Sequence, residues 1–246
     1  MVWFFVLLSA CFSCKINIHM DIVSFNYSNP DPATVKKVAE IIKAGGIVVV
    51  PTETVYGILG SALNKKTVKK IVQLKKRNEK KGFDLTLYPP EKIFDYAETN
   101  SLVPEIIEEF SEQPLSLALP RKKSLPDFLN PDLKTVAFHF FFSKLDEELF
   151  KYIDVPLIGT SANISNLPDT GSVEKVVDYF KNTFDRPLKP DLVLDSGKLK
   201  KRNPSAVIEI LDKKIRIVRG GDLTDKVWRK RLEKIGKEKF IIENNL

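Results

Sequence analysis

A short apolar run near residue 50 constrains the fold of this 246-residue chain more than any other feature. Residues 47–50 are all isoleucine or valine, and Gly45-Gly46 separates them from a helical stripe of apolar residues over 35–42. A strand made only of such side chains must be buried on both faces, which is typical of parallel and mixed sheets. We therefore expect an α/β domain with a mixed sheet and flanking helices.

The rest of the chain alternates helical and strand patterns as such a domain requires. Apolar residues at helical spacing predict further helices at 68–72, where Asn64 is the expected N-cap, and at 173–180. Alternating or wholly apolar runs predict the strands. These lie at 83–87, 115–119, 155–158 and 192–194, and as a hairpin at 206–211 and 215–218.

The two ends differ from this domain, which we place at 20–221. Residues 1–19 are almost wholly apolar and form a leader, either a weak signal-like segment or an upstream start codon wrongly assigned ahead of Met20. The pattern of residues 222–246 predicts a basic helical tail. No apolar run reaches the roughly 18–20 residues of a membrane span. The cysteines, Cys11 and Cys14, cannot form a disulfide framework, so we expect a cytoplasmic protein that has no membrane partner.

Positive charge is concentrated in one segment. The net charge is +7, yet residues 65–81 contain nine basic side chains and one acidic one. Most of these lysines fit a solvated helix face. Lys75, Arg77 and Lys81 stand where the helical pattern ends, and there they can converge on a phosphate group.

Small polar residues follow several predicted strands. The segment 51–57 contains Thr52 and Tyr56, and the segment 159–163 contains Ser161 and Asn163. Ligands of α/β sheets gather beyond the carboxyl ends of strands, so these side chains and backbone N–H groups are candidates for binding an anion. There is no phosphate loop and no dinucleotide fingerprint. With His19 and His139 as the chain's two histidines, we expect no metal held by protein ligands.

Four segments, in this order, resemble the YrdC-type threonylcarbamoyl-AMP synthases. They are Gly46-Ile-Val-Val-Val-Pro-Thr-Glu-Thr-Val-Tyr-Gly57, Leu74-Lys-Lys-Arg77 with Lys81-Gly82, Thr160-Ser-Ala-Asn-Ile-Ser-Asn-Leu-Pro168, and Asn203-Pro-Ser205 with Arg219. The resemblance covers residues 33–221 and lacks the long extra domain of some members, as in the short form.

The resemblance implies a twisted mixed sheet with helices around a positively charged concave face. It implies that L-threonine, bicarbonate and ATP, with Mg²⁺ on the phosphates, become threonylcarbamoyl-AMP and pyrophosphate. The product would serve the N6-threonylcarbamoyl modification of adenosine 37 in tRNA, with other proteins completing the transfer. Such chemistry needs positioning and electrostatic stabilisation rather than a covalent nucleophile.

Roles carried over from the family motifs fall into two groups. The threonine pocket would contain Thr52, Tyr56 and Ser205. The catalytic residues would be Lys75 and Arg77, which would also bind the nucleotide together with Ser161, Asn163 and Arg219. The resemblance leaves Lys81 and His139 without a settled role.

The chain departs from the family at three places. Glu112-Gln113 interrupts a mid-chain motif, Asn166 replaces a glycine, and His139 stands where many members have arginine. The imidazole of His139 could face bound phosphates, which would raise its pKa. Alternatively it could be packed, neutral, among Phe138 and Phe140.

A diverged or inactive relative of the family and a non-enzymatic RNA-binding module remain open at this stage. A non-enzymatic module for duplex RNA or tRNA would also use the basic segment. The carbamoyl-transfer module of hydrogenase maturation has a related domain, but its zinc modules have no counterpart here.

Overall fold

The computed structural model describes residues 20–53, 55–78, 81–110, 114–140, 143–181, 188–200, 205–211, 214–221, 225–236 and 241–244. The predictions made for the leader at 1–19, Glu112-Gln113 and Asn203-Pro204 lie outside these residues.

The helices begin and end at local capping features. Asp31 accepts a hydrogen bond from the Thr34 backbone N–H at the start of the first helix, and Gly45, with φ of +85°, follows its end. Asn64 caps the second helix, as expected from the sequence. The helices are α1 (Pro32–Lys43), α2 (Lys65–Lys75), α3 (Leu102–Glu109), α4 (Lys144–Leu149), α5 (Val173–Lys181) and α6 (Asp225–Gly236), with a 3-10 helix at Pro90–Asp95.

The strands of the described chain form one mixed sheet, which confirms the predicted fold class. They are β1 (Ile22–Ser24), β2 (Val48–Pro51), β3 (Tyr56–Ser61), β4 (Asp84–Thr86), β5 (Leu115–Pro120), β6 (Thr135–His139), β7 (Leu157–Ser161), β8 (Leu192–Asp195), β9 (Ala206–Leu211), β10 (Lys214–Arg219) and β11 (Ile241–Asn244). Their order is β1-β8-β2-β3-β7-β4-β6-β5-β9-β10-β11.

The strand that the sequence marks most clearly lies inside this sheet. β2 is buried along its whole length and pairs parallel to β8 and antiparallel to β3. Val35, Val38, Ala39 and Ile42 of α1 are buried too, as their helical spacing predicts. The four valine and isoleucine side chains therefore join a continuous core that includes this face of α1.

The boundaries of β7 were predicted wrongly. The sequence predicts a strand at 155–158 followed by a loop, whereas β7 runs from Leu157 to Ser161. Gly159 pairs with Asp84 of β4, and Ser161 pairs with Gly57 of β3. These small residues have little strand propensity of their own, so pairing on both sides decides their conformation.

The C-terminal tail is more than a helix. α6 packs beside α3, where Leu232 is buried and the Arg231 guanidinium lies 5.5 Å from the centre of the Phe110 ring. β11 then pairs parallel to β10 at one edge of the sheet. The sequence predicted the helix but missed this strand.

Across the described residues, no helix combines the length and apolar character needed to cross a membrane.

Candidate active site

A cavity of about 350 Å³ opens where β2, β6, β7 and β10 end. Segments far apart in sequence meet there, as expected for strand ends in an α/β sheet. Several predicted site residues line it, namely Thr52, Arg77, His139, Ser161, Ser205 and Arg219. Tyr56, Lys75, Lys81 and Asn163 lie outside this lining.

Arg77 brings a fixed guanidinium to the cavity wall. α2 ends at Lys75, and the following C-cap residue Lys76 turns the chain with a left-handed φ of 46°. The Arg77 Nε then donates to the Lys81 carbonyl at 3.0 Å, and a terminal nitrogen donates to the Gly82 carbonyl. The guanidinium lies 4.7 Å from the centre of the Phe83 ring. A cation held in this way is prepared to stabilise negative charge without rearranging.

Arg219 approaches the cavity from the end of β10. Its Nε donates to the Ser205 carbonyl at 2.6 Å, which links two predicted site residues. Between the two arginines lies Asp84, whose pKa burial raises, while Arg219, the Ser116 hydroxyl and Arg77 act to lower it. Arg77 and Arg219 thus supply positive charge to the cavity lining. The predicted positive charge of the entire concave face stays a prediction.

His139 lies in the cavity wall rather than in the core. β6 alternates, so Phe138 and Phe140 are buried on one face while His139 faces the other. Its side chain is 23% exposed, and its Nε2 is 3.7 Å from Glu53 Oε1. The imidazole is therefore not packed among the phenylalanines, although the neutral state that this alternative predicted agrees with its pKa. Burial, and secondly the charge of Arg219, lower the pKa of His139 to about 4, and a rise of this pKa on phosphate binding stays a prediction.

The ammonium of Lys75 lies beneath the end of β7, not in the cavity. Its Nζ donates to the Asn163 carbonyl at 3.0 Å, to Asn163 Oδ1 at 2.9 Å and to the Ser161 carbonyl. The Ser161 hydroxyl also donates to Asn163 Oδ1, at 2.7 Å. Of these three residues Ser161 lines the cavity. Both side chains therefore support Ser161 in this structure, and the contact of Lys75 and Asn163 with the nucleotide stays a prediction.

Burial is the main influence on the charge of this lysine. Lys75 is 1% exposed. Burial, assisted by the positive charge of Arg77, lowers its pKa from 10.5 to about 7, while Asp169 opposes the shift. A lysine with three oxygen acceptors and no access to water acts as a cross-link between α2 and the end of β7.

Tyr56 also points away from the cavity. It is fully buried, and its hydroxyl donates to the Gly197 carbonyl at 2.7 Å and accepts from the Ser196 N–H at 3.0 Å. Burial raises its pKa to about 12, so the hydroxyl stays protonated. In this structure the hydroxyl anchors the turn after β8, and the contact of Tyr56 with threonine stays a prediction.

We expect Tyr56→Phe to lower the free energy of unfolding by about 1–3 kcal/mol, because two buried backbone groups lose their partner. Urea unfolding measures this change. The KM for threonine should stay near the wild-type value. A raised KM for threonine at unchanged stability would show instead that Tyr56 contacts the substrate.

Thr52 holds the turn between β2 and β3. Its hydroxyl donates to the Val55 carbonyl at 2.6 Å and accepts from the Val55 N–H at 3.2 Å. A Cβ on Gly57 would lie 3.3 Å from Thr52 Cγ2, so this position favours glycine. The turn places Thr52 in the cavity wall, where the sequence predicted a ligand contact.

Lys81 and Asn166 meet at the surface. Lys81 Nζ donates to Asn166 Oδ1 at 3.4 Å. Asn166 has φ of +69°, a conformation that asparagine tolerates better than most residues, which explains how it can replace the family's glycine.

Sequence reasoning missed the acidic side chains of the cavity. Glu53, Asp84, Asp146 and Asp169 line it. Asp146 forms a capping box with Ser143, and burial raises its pKa. Asp84 alternates with Phe83 and Leu85, a pattern that normally indicates a solvent-facing side chain. No local sequence signal could have shown this, because alternation tells which side chains share a face but not what that face contacts.

Comparison with known proteins supplies the decisive observation. A family model for Sua5, YciO and YrdC proteins, described as telomere recombination, matches residues 40–221. The chain belongs to the Sua5/YciO/YrdC family. A Methanocaldococcus jannaschii relative with a provisional threonylcarbamoyl-AMP synthase name is 34% identical over 193 residues, which cover 76% of this chain and 86% of the relative.

Other members of the Sua5/YciO/YrdC family agree with this assignment. The threonylcarbamoyl-AMP synthase of Actinobacillus pleuropneumoniae is 27% identical over 183 residues, which cover 73% of this chain and 96% of that protein. The structure of Pyrococcus abyssi Sua5 complexed with L-threonine superimposes with a TM-score of 0.77 at 25% identity. The match covers 90% of this chain but 62% of that Sua5 chain.

Proposed function

We propose that this chain is an L-threonylcarbamoyladenylate synthase that uses L-threonine, bicarbonate and ATP. The observation that carries the proposal is that Arg77, Arg219, Thr52, Ser161 and Ser205 line one cavity. The family relatives that bear this name, and the threonine-bound Sua5 structure, support it.

The reaction has two bond-forming steps. The threonine nitrogen bonds to the carbon of bicarbonate, water leaves and a carbamate forms. A carbamate oxygen then attacks the α-phosphorus of ATP, and the bond from that phosphorus to the pyrophosphate oxygen breaks. Negative charge accumulates at the phosphate, so the work of the protein is to hold the reactants and stabilise that charge.

We assign the stabilisation of this negative charge to the two arginines. Arg77, fixed against Phe83, and Arg219, fixed on Ser205, would bind the phosphates of ATP. Ser161 would contact the nucleotide from the end of β7, and Thr52 and Ser205 would contact threonine. Lys75 and Asn163 would act through Ser161, as their hydrogen bonds indicate.

Mg²⁺ would arrive with ATP rather than occupy a protein cage. Within the described parts of the chain, no group of three or more histidine, cysteine, aspartate or glutamate side chains could hold a metal ion. Mg²⁺ commonly keeps several waters and uses one or two carboxylates plus substrate phosphates. The carboxylates that line the cavity are enough to supply one or two such ligands.

The product would then serve threonylcarbamoylation of adenosine 37 in tRNA, in the cytoplasm and with other proteins. An RNA-binding function without catalysis is the competing hypothesis. Its basis is the exposed basic face of α2, formed by Lys65, Lys66 and Lys69. The cavity hydroxyls favour the enzyme, because binding of an RNA backbone does not require them.

The direct test is the release of pyrophosphate by purified protein. We expect release that requires L-threonine, bicarbonate and Mg-ATP together, with threonylcarbamoyl-AMP detected by mass spectrometry. Omission of each substrate in turn is the control. Pyrophosphate release that does not depend on threonine would refute the proposed function.

We expect threonine to be preferred over both valine and serine. A pocket built to hydrogen-bond a hydroxyl rejects valine by ~10⁴-fold in kcat/KM, whereas loss of a methyl in serine costs only ~10–200-fold. Competition assays with the three amino acids measure these ratios. Equal turnover of valine would contradict the assignment of Thr52 and Ser205 to the side-chain pocket.

A further inference from the structure

The segment that holds Arg77 lies just outside the strand ladder. The guanidinium donates to the Lys81 and Gly82 carbonyls and lies 4.7 Å from the centre of the Phe83 ring. β4 begins at Asp84, which is its first residue to pair with β6 and with β7. Strand pairing therefore fixes the chain from Asp84 onward and leaves residues 81–83 to other contacts.

Asn130 supplies such a contact. Its Oδ1 accepts from the Phe83 N–H at 2.7 Å, and its Nδ2 donates to the Phe83 carbonyl at 3.0 Å. The side-chain amide thus binds both backbone groups of Phe83, as a residue of a neighbouring strand would. Asn130 is 3% exposed, so these bonds are shielded from competing water. Leu133 packs against the same segment, since a Cβ on Gly82 would lie 2.7 Å from Leu133 Cδ1.

A second arginine shapes the loop that carries Asn130. The two ends of residues 121–134 meet, because the Arg121 N–H donates to the Lys134 carbonyl at 3.0 Å. The Arg121 guanidinium donates to four carbonyls of the same loop, those of Leu125, Pro126, Leu129 and Asn130. A compact loop closed in this way holds Asn130 in one conformation, with φ of +49°, which asparagine tolerates better than most residues.

The loop can affect the reaction only through the segment that it holds. Residues 121–134 are all described, and none of them lines the cavity. A guanidinium on a long side chain stays preorganised only while its acceptors stay in place, and those acceptors lie on residues 81 and 82. We infer that Asn130 is a positioning residue for Arg77. The inference rests on the proposed function, which assigns the phosphates of ATP to Arg77.

A double-mutant cycle with Arg77 tests this role. Asn130→Gly removes both hydrogen bonds to Phe83 without straining the positive φ. Turnover at saturating substrates should fall by ~10–10²-fold, since a misplacement of about 1 Å at a catalytic group has effects of that size. Threonine affinity, measured by calorimetry, should stay near the wild-type value. In the Arg77→Ala background Asn130→Gly should lower turnover no further, and the same fold-loss in both backgrounds would overturn the inference.

Val38→Ala is the matched control for a loss of stability. Val38 is fully buried in α1 and is not part of the cavity lining, so its truncation weakens the core alone. Turnover of the folded protein should change little. A loss as large as that of Asn130→Gly would show that general stability explains both results, which contradicts a positioning role.

Leu133→Ala is the second variant if Asn130→Gly does not fold. Leu133 is only half-buried, and it contacts the same segment from the same loop. Its substitution should lower turnover, and this loss should also disappear when Arg77 is alanine. Unchanged turnover, or a loss that persists without Arg77, would overturn the inference.

Binding of inorganic pyrophosphate separates this inference from the proposed function. Asn130→Gly should weaken pyrophosphate binding by ~10-fold, the scale of one charge-assisted hydrogen bond, and only when Arg77 is present. Wild-type protein that shows this coupling but releases no threonine-dependent pyrophosphate would refute the proposed function and support the positioning role. An active wild type whose turnover and pyrophosphate affinity are both unaffected by Asn130→Gly would overturn the positioning role alone.

Discussion

Arg77→Ala should lower turnover by ~10²-fold or more, because the cavity loses a preorganised cation where negative charge develops. The guanidinium is held by the Lys81 and Gly82 carbonyls and by the Phe83 ring, so it needs no rearrangement to act. Pyrophosphate release at saturating substrates is the measurement. Arg77→Lys should recover only part of the rate, since an ammonium cannot donate the bidentate pair of hydrogen bonds that a guanidinium forms with two phosphate oxygens.

Lys69→Ala is the matched control for the loss of one positive charge. Lys69 lies on the exposed face of α2 and is not part of the cavity lining. Its removal should leave turnover nearly unchanged. Equal losses from the two substitutions would mean that the basic segment acts as a diffuse surface, which favours RNA binding over catalysis. A thermal unfolding curve for Arg77→Ala excludes loss of the fold as the cause.

Lys75→Met should weaken both stability and activity, although Lys75 does not line the cavity. The substitution removes the Lys75 donor from the buried Asn163 carbonyl, whereas Asn163 Oδ1 and the Ser161 carbonyl keep hydrogen bonds from the Ser161 hydroxyl and the Asn163 N–H. Each unsatisfied buried group costs about 1–3 kcal/mol, so urea unfolding should show a loss of at least that size. Turnover should fall by ~10²-fold, the scale of a misplacement of about 1 Å at a catalytic group, here Ser161.

A double-mutant cycle distinguishes support from direct phosphate binding. If Lys75 acts through Asn163, the effects of Lys75→Met and Asn163→Ala on turnover will be non-additive, with coupling of about 0.5–3 kcal/mol. Additive effects together with a selective loss of ATP affinity in Lys75→Met would show instead that Lys75 binds phosphate directly.

The lowered pKa of Lys75 adds a pH dependence with a definite sign. Its pKa is about 7 when folded, against 10.5 as the reference for the unfolded chain. Between these values the unfolded chain keeps the proton that the folded chain has released, so a rise in pH stabilises the folded state. The stability of the wild type relative to Lys75→Met should therefore increase from pH 7 towards pH 10 and be constant below pH 7.

Most of the scaffold could be predicted because its patterns are local. The buried strand near residue 50, the Asn64 cap and the hairpin of β9 and β10 depend on neighbouring residues. The edge strand β11 could not be found in this way, since the pairing with β10 that defines it joins the tail to a distant segment.

The sequence predicted part of the cavity lining, and the predicted site residues that lie outside this lining include two with a common feature. The motifs correctly brought Arg77, Ser161 and Arg219 to one cavity. They gave no direction for Lys75 and Tyr56, whose polar ends turn inward to backbone groups of other segments. A motif states which residue types occur together in sequence. It does not state which of them line the cavity and which hold the lining residues in place.

The sequence by itself determined that β4, β5 and β6 alternate between apolar and other side chains. Only the tertiary structure decided that the face carrying Asp84, Ser116 and His139 borders a cavity rather than bulk water or core. The physical reason is that a two-residue period fixes which side chains share a face, but neighbouring elements decide what that face contacts. Glu53 then reaches His139 from a turn 86 positions earlier in the chain, a contact that no local pattern encodes.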